Sequence, residues 1–158
     1  MKTTILILSV ILLSFSNFVV AKTINGKPRI VDGDTIHIKS NKIRLHGIDA
    51  PETKQTCKID NEEWYCGQQS TKELKNLINN QEVECITNDV DIYNRYVAIC
   101  SVNEININQW MVKSGWAIAY RYYSTDYIID EKYARDNKLG IWKSEFMKPY
   151  AYRRQNKN

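Results

Sequence analysis

Histidine, proline and glycine are scarce in this chain of 158 residues, which contains only two, three and six of them respectively. No CxxC motif is present, and neither His37 nor His46 has a metal-ligand spacing to another histidine or to a cysteine, which argues against a zinc site. After residue 21 no segment is apolar enough to span a bilayer. Internal repeats and low-complexity linkers are also absent, so the sequence indicates one domain of ordinary length.

The first 21 residues have the layout of a secretory signal peptide. Lys2 precedes a long apolar run, and Val19, Val20 and Ala21 close the segment with a suitable cleavage site. An uncleaved N-terminal anchor is the alternative, but polar residues interrupt the run between positions 14 and 17. No cysteine lies near Ala21, so a lipoprotein anchor has no attachment point.

Charge is spread unevenly over the rest of the chain. The full chain has a formal net charge of +4, and loss of Lys2 with the signal peptide leaves it mildly positive, which is the right sign for a polyanionic partner, although a small surplus also serves solubility. The last residues are locally basic, and we expect them to be solvated and frayed, with a weak nucleic-acid contact as the alternative. The predicted organisation is a signal peptide at 1–21, a folded domain at 22–150 and a basic tail at 151–158.

A first β-hairpin is predicted by two-residue alternation around a turn at residues 40–41. Its apolar residues share one face, and they are Ile36, Ile38, Ile43 and Leu45. The pattern predicts that Lys39 pairs with Lys42, which places Asp34 at the end of the hairpin, close to Asp49. Two acidic stretches of the chain therefore meet at one end of this hairpin.

A second hairpin is predicted for the strands on either side of residues 91–94, and it bears on the four cysteines. An even cysteine count in an exported domain favours disulfides, for which three pairings exist. In the symmetric register Cys85 faces Cys100, and directly opposed cysteines on neighbouring strands are close enough to bridge. This register leaves Cys57 to pair with Cys66.

Three helices are predicted from apolar spacing and capping residues. The first covers residues 68–79, the second is capped by Asn106 and stopped by Gly115, and the third starts at Ser124 or Thr125, runs to Lys138 and stops at Gly140. Short strands followed by interleaved helices indicate an α+β domain built on a five-stranded barrel.

Four acidic residues near the first hairpin offer oxygen ligands for a cation: Asp32, Asp34, Asp49 and Glu52. Calcium takes several oxygens in a flexible geometry, whereas copper and zinc prefer softer ligands, of which the chain offers no dedicated set. Each acidic stretch taken alone is explained as well by a turn, because aspartate, glycine and proline are usual turn residues.

Three motifs combined in this order resemble the staphylococcal nuclease (thermonuclease) family. They are residues 31–35 (Val-Asp-Gly-Asp-Thr), 44–52 (Arg-Leu-His-Gly-Ile-Asp-Ala-Pro-Glu) and 93–98 (Tyr-Asn-Arg-Tyr-Val-Ala). Residues 115–122 and 134–142 are similar to the helical half of that family. The resemblance implies an α+β fold in which a five-stranded oligonucleotide/oligosaccharide-binding (OB) β-barrel carries three α-helices.

The resemblance also implies a site for one calcium ion. By motif match, Asp34 and Asp49 resemble the carboxylates that bind the ion directly. Ala50 takes the position of a ligand that acts through its backbone carbonyl, and Asp32 resembles a nearby acid that does not bind the ion itself.

Arg44, Glu52 and Arg95 fall on the catalytic positions of the family. Planar guanidiniums suit the charge that builds up on phosphate oxygens, and a glutamate beside a cation suits the activation of water. A surface ion pair with a carboxylate is the alternative interpretation for each arginine. Strict alternation places the Arg44 side chain on the strand face opposite Leu45, and the sequence does not explain how it reaches the site.

Tyr120 and Tyr122 match tyrosines that the family has near the bound nucleotide, where aromatic faces stack bases, and Tyr123 extends that surface. Half-buried packing beside a tryptophan is the alternative for Tyr122 and Tyr123. Two residues depart from the family pattern. Ile92 stands where many relatives carry a basic residue, and Asn94 stands where glycine is common, although asparagine tolerates the left-handed conformation.

The function implied by this resemblance is a secreted or periplasmic calcium-dependent endonuclease for DNA, RNA or both. We expect a monomer with little sequence specificity, 3′-phosphorylated products and no stable membrane association after signal cleavage. A non-catalytic nucleic-acid-binding module on the same barrel is the main alternative, but such modules can lose the acids and arginines that this chain retains. An exported protein whose turn acids bind calcium for stability is a third hypothesis, and it gives no reason for the two arginines.

Overall fold

The computed structural model of the chain describes residues 21–156, apart from the side chain of Asn88. The predicted signal peptide therefore lies outside the described residues, except for Ala21. Within the described part of the chain, no helix is both long and apolar enough to cross a membrane.

The architecture is α+β, as predicted, with a strongly curled half-barrel sheet that is consistent with the OB fold. The strands are β1 (Lys22–Gly26), β2 (Pro28–Ile30), β3 (Thr35–Ile38), β4 (Asn41–Leu45), β5 (Ile48–Asp49), β6 (Cys57–Ile59), β7 (Glu62–Trp64), β8 (Val83–Val90), β9 (Tyr96–Val102), β10 (Ile105–Asn106) and β11 (Ile118–Ala119). The helices are α1 (Cys66–Ile78), α2 (Ile107–Lys113), α3 (Ile128–Asp136) and α4 (Pro149–Gln155), with a 3₁₀ turn at Gly140–Lys143.

The main sheet has the strand order β1-β8-β9-β4-β3-β2, with β10 beside β9. Strands β4 and β9 run parallel, whereas the other pairs are antiparallel. Two small sheets complete the fold, β5 with β11 and β6 with β7. The β5–β11 pair joins the end of the first hairpin to the helical half, so it fixes where the acidic residues lie.

The first hairpin forms between β3 and β4, but its predicted register is wrong by two residues. Ile38 pairs with Asn41, so Lys39 and Ser40 form the turn and Lys39 does not pair with Lys42. Lys39 adopts a left-handed conformation with φ of 55°, and the Asn41 side chain donates to the Ile38 carbonyl across the turn. A shift of two residues keeps every side chain on its predicted face, so the apolar face remains buried.

The second hairpin confirms the predicted register. Cys85 lies opposite Cys100 across β8 and β9, and the two are joined by a disulfide with a Cα–Cα distance of 4.1 Å. The second predicted disulfide, between Cys57 and Cys66, is also present. The first bond joins two neighbouring strands of the main sheet, and the second joins β6 to the start of α1.

The predicted helices are present with changed bounds. Asn106 caps α2 as predicted, because its side chain accepts the Gln109 backbone N–H at 2.9 Å. Helix α3 begins at Ile128 instead of at Ser124 or Thr125, since the Ser124 hydroxyl accepts the Asp126 N–H and forms a local turn ahead of the helix.

The basic end of the chain is not the frayed tail that we expected. It forms α4, in which Pro149 occupies the first turn, where its missing N–H costs no hydrogen bond. The helix packs against the loop after β5, as shown by the Tyr152 hydroxyl that donates to the Lys54 carbonyl at 3.4 Å. The predicted tail therefore contributes to the folded unit.

A buried asparagine on α2 connects the helix to the two parallel strands. The Asn108 amide donates to the His46 carbonyl at 3.0 Å and to the Ala98 carbonyl at 3.1 Å, and its oxygen accepts the Cys100 N–H at 3.1 Å. The residue is fully buried. These bonds hold the end of β4, where the chain turns towards Asp49.

Replacing Asn108 with alanine is expected to lower the free energy of unfolding by about 1–3 kcal/mol, because buried backbone groups lose their partner. Urea denaturation measures the change. Asn76→Ala, at an exposed position of α1, is the matched control, and its effect should stay within about 0.5 kcal/mol. Equal stability of the two variants would contradict this account of the asparagine.

Candidate active site

Two buried carboxylates meet where the first hairpin ends. The chain reverses after β4 at Gly47, which has a φ of +72°, and β5 then returns beside the loop that precedes β3. The Ala50 N–H donates to Asp34 Oδ2 at 2.7 Å, which ties the two acidic stretches together. Asp34 is 2% exposed and Asp49 is fully buried. The predicted convergence of these two acids is thus present despite the shifted register.

The Arg44 guanidinium lies between these carboxylates. It forms an ion pair with Asp34, and its Nη2 donates to Asp49 Oδ1 at 3.0 Å and to the Ile48 carbonyl at 3.2 Å. Burial lowers the pKa of Arg44, but an arginine keeps its proton in proteins. The ion pairs of Arg44 are not the surface ion pairs of the alternative interpretation, because the Arg44 side chain is only 13% exposed. Strand alternation did not explain how the Arg44 side chain, on the face opposite Leu45, reaches the site. The chain reversal at Gly47 explains it, because the reversal brings Asp49 to the Arg44 side chain.

Glu52 stands on the turn that follows, and a glycine of α1 supports this turn. A Cβ built on Gly67 would lie 1.7 Å from the Glu52 carbonyl oxygen, so only glycine permits this close approach. The Glu52 carboxylate accepts a hydrogen bond from Arg153 Nη1 at 2.9 Å. Arg153 comes from α4, and its Nη2 also donates to Asp49 Oδ1 at 2.7 Å.

These contacts form one continuous chain of alternating charges, which we call the charge chain and which consists of Asp34, Arg44, Asp49, Arg153 and Glu52. The charge chain contains three carboxylates and two guanidiniums, so these five side chains together carry one excess negative charge. Carboxylates raise the pKa of Arg153, although its burial acts in the opposite direction. The excess charge favours a cation at this position.

The charge chain has features that fit a hard cation. Asp49 Oδ2 is buried and has no hydrogen-bond partner within the described structure, which is costly for a carboxylate oxygen unless a cation or water meets it. Asp34 and Asp49 are oxygen donors of the type that calcium prefers. Among the residues that the structure describes, however, no three histidine, cysteine or acidic side chains converge on one point. The four predicted acids therefore do not form one cluster.

Asp32 lies beside this group and has a local role. Its Oδ1 accepts the Asp34 N–H at 3.0 Å, which shapes the loop before β3. Burial raises the pKa of Asp32, and the neighbouring Arg44 charge offsets this effect only in part. The Asp32 side chain lines the same cleft as Arg44.

Arg95 lies apart from the charge chain, at the start of β9. Its guanidinium pairs with Asp91, with Nε and Nη2 at 2.8 and 2.7 Å from Asp91 Oδ2. This is the ion pair that we considered as the alternative to a catalytic role, although Arg95 lines the cleft and is 27% exposed. Asn94 adopts a φ of 59°, as its match to a glycine position predicts, and Ile92 is 92% exposed.

A cleft of about 930 Å³ opens above the charge chain. Its wall includes Arg44, Glu52, Arg95 and Arg153 as well as four tyrosines, Tyr93, Tyr120, Tyr123 and Tyr150. The Tyr120 ring stacks on Tyr150 with centroids 6.2 Å apart, and it meets Tyr123 edge-on at 5.1 Å. The cleft thus combines cationic and aromatic groups, which suit the phosphates and bases of a nucleic acid.

Tyr122 lies outside the residues that line this cleft. It is 82% exposed and touches Tyr123 edge-on at 4.9 Å, and Tyr123 is 63% exposed. Both are too exposed for the alternative of half-buried packing. Tyr123 lines the cleft beside Tyr120, and the role of Tyr122 in holding the nucleotide stays a prediction.

Sequence reasoning missed two residues of the site, Arg153 and Tyr150. A local signal was present, because Pro149 marks the start of a helix, and residues three apart in a helix share one face. No pattern in the sequence indicates where that helix packs, since Arg153 lies 104 residues from Asp49.

Comparison with known proteins finds relatives of this chain. A protein-family model described as "Staphylococcal nuclease homologue" matches residues 42–144. That match begins within β4 and includes the turn with Glu52, the second hairpin and the helices α1 to α3. It covers most of the chain and contains Arg44, Asp49 and Arg95.

Individual proteins match over a longer stretch than the family model. A "Micrococcal nuclease" of Shigella flexneri is 35% identical over 148 residues, covering 82% of this chain and 80% of the relative. An "Uncharacterized endonuclease" of Haemophilus influenzae is 36% identical over 137 residues, covering 82% of this chain and 72% of the relative. An "Uncharacterized endonuclease" of Escherichia coli O157:H7 is 34% identical over 140 residues, covering 84% and 86%.

Proposed function

The chain belongs to the staphylococcal nuclease family, and from this premise we propose that it is an exported endonuclease that uses one calcium ion to hydrolyse phosphodiester bonds in DNA, RNA or both. The observation that carries the proposal is the charge chain, which opens on a cleft with cationic and aromatic walls. A merely structural calcium site gives no reason for partly buried arginines beside an open cleft.

Hydrolysis of a phosphodiester requires an activated water and stabilisation of the charge that develops on the phosphate oxygens. Glu52 lines the cleft on the turn beside the buried acids, where its carboxylate can take a proton from the attacking water. Arg44 offers a planar, permanently charged donor fork to the phosphate oxygens. Arg95 supplies a second fork once its pair with Asp91 opens. Attack at phosphorus in this family leaves the phosphate on the 3′ end of the product, which mass spectrometry of the fragments tests.

Asp34, Asp49 and the carbonyl of Ala50 are the groups that would hold the calcium ion, with Asp32 close by. The unpaired Asp49 Oδ2 and the excess negative charge of the charge chain support this assignment. When bound, calcium supplies positive charge that polarises a phosphate oxygen. Magnesium is the poorer ion in this proposal, because it demands a stricter octahedral geometry than calcium does.

The proposed substrate is DNA, RNA or both, because the groups in the cleft wall bind features that all nucleic acids share. Guanidiniums bind phosphates without reading sequence, and tyrosine rings stack on every base. Little sequence specificity follows from this composition of the cleft wall. Export, to the periplasm or the medium, is supported by the predicted signal peptide and by two disulfides, which persist in oxidising compartments. We propose that the protein acts there as a monomer.

Digestion of plasmid DNA and of RNA by the purified mature chain tests the function. We expect cleavage of at least one of them in calcium and none in excess EGTA. The Glu52→Gln variant, purified in the same way, controls for contaminating nucleases. Binding of oligonucleotide without any cleavage by the unaltered protein would instead support the non-catalytic binding module.

Tyr120→Ala is expected to weaken the binding of a short single-stranded oligonucleotide by about 1–3 kcal/mol, because one base loses its stacking partner. Fluorescence anisotropy in calcium measures the dissociation constant. Tyr133→Ala is the matched control, since Tyr133 lies on α3 outside the cleft. An unchanged dissociation constant for Tyr120→Ala would remove this tyrosine from the substrate site.

A further inference from the structure

The Arg153 guanidinium divides its two terminal nitrogens between two carboxylates of the charge chain, those of Glu52 and Asp49. Of the residues that the structure describes, Arg153 alone has a side chain that donates to the Glu52 carboxylate. The Glu52 side chain is 35% exposed and stands on a turn. A long side chain at such a position has several rotamers, so the bond to Arg153 is what restrains its direction.

Helix α4 and the segment before it are held by contacts that do not involve Arg153, one of which is the bond from the Tyr152 hydroxyl to the Lys54 carbonyl. The Gln55 side chain is fully buried, donates to the Met147 carbonyl at 2.6 Å and accepts the Glu52 N–H at 3.3 Å. The stacked ring of Tyr150 adds a second attachment of the helix. The position of α4 therefore does not rest on the Arg153 bonds alone.

We propose that Arg153 is a positioning residue of the active centre, which holds the Glu52 carboxylate in the direction needed to accept a proton from the attacking water. The inference rests on the proposed function. Charge-assisted bonds from a planar fork give both strength and direction, which a lysine in the same place gives only in part. Direct contact with a substrate phosphate is the competing role for the same guanidinium.

The two roles predict different kinetics. If Arg153 positions Glu52, Arg153→Ala slows single-turnover cleavage of a short oligonucleotide in calcium by on the order of 10²-fold, the cost of a misplaced catalytic group, and leaves the dissociation constant unchanged. Arg153→Lys keeps an intermediate rate. Methylguanidinium added to Arg153→Ala restores part of the lost rate, because it fills the space beside Glu52 with the same donor fork.

Two control variants separate positioning from general effects of charge and helix stability. Arg135→Ala removes an exposed positive charge from α3, and Gln155→Ala alters an exposed residue of α4, so both should cleave at the unaltered rate. If Arg153→Ala does not fold, Arg153→Met keeps the aliphatic stem and carries the same test. A crystal structure of the variant provides a readout independent of activity, since Glu52 should occupy more than one rotamer there.

The inference is overturned if Arg153→Ala cleaves at the unaltered rate, or if its loss lies in binding with an unchanged rate, which is the signature of a phosphate contact. A loss that neither lysine nor methylguanidinium restores also overturns it, because the residue is then structural. The proposed function stands in each case as long as the unaltered protein cleaves and Glu52→Gln does not. Absence of cleavage by the unaltered protein defeats both proposals together.

Discussion

Asp49→Asn is expected to abolish calcium-dependent cleavage and to remove the stabilisation that calcium gives to the unaltered protein. The substitution keeps the shape of the side chain and an oxygen for the two arginines, but it removes the negative charge that attracts the ion. At a calcium concentration about 100 times its dissociation constant, the unaltered protein should gain about 2.7 kcal/mol in free energy of unfolding. Thermal melting with calcium and with EGTA measures this gain.

The control for Asp49→Asn is Asp136→Asn, which removes one negative charge from an exposed position on α3. It should retain both cleavage and the rise in melting temperature with calcium. If Asp49→Asn cleaves as fast as the unaltered protein, or melts at the same raised temperature in calcium, the ion does not bind at the charge chain. The proposed role of Asp34 and Asp49 would then be wrong.

The parts of the fold that follow from neighbouring residues were predictable. The second hairpin has strong alternation on both strands, and its register places Cys85 opposite Cys100 as expected. The register predicted for the first hairpin was wrong because the turn uses Lys39 with a φ of 55°. Sequence rules assign this conformation to glycine or asparagine. Alternation fixes which face of a strand is buried, but it does not distinguish registers two residues apart.

The candidate site likewise has one part that nearby residues predict and one part that depends on distant packing. The meeting of Asp34 and Asp49 follows from the hairpin and the turn after it, which are close in the sequence. Arg153 joins the site through tertiary packing between residues 101 positions apart, and no periodicity encodes such a contact. A basic segment can be a solvated tail, or it can form ion pairs with acidic residues elsewhere in the fold. Its composition is the same in both cases, so composition alone did not predict the ion pairs of Arg153.

Glu52→Gln is expected to bind a short single-stranded oligonucleotide normally and to cleave it about 10²–10⁴ times more slowly. The amide has the size of the carboxylate and can still accept a hydrogen bond from Arg153, so the turn should keep its structure. It cannot take a proton from water at neutral pH, which removes the general base. Single-turnover cleavage together with equilibrium binding in calcium separates the two effects.

Arg44→Lys is the companion test, because it keeps the positive charge between Asp34 and Asp49 but loses the planar fork. Losing one such donor to the developing charge should slow cleavage by on the order of 10²–10³-fold, with little change in binding. If Arg44→Lys and Glu52→Gln both fold and both cleave at the unaltered rate, the charge chain is not the catalytic centre. The cleft would then be better interpreted as the binding surface of a nucleic-acid-binding module, in which the partly buried arginines serve only to neutralise the acids.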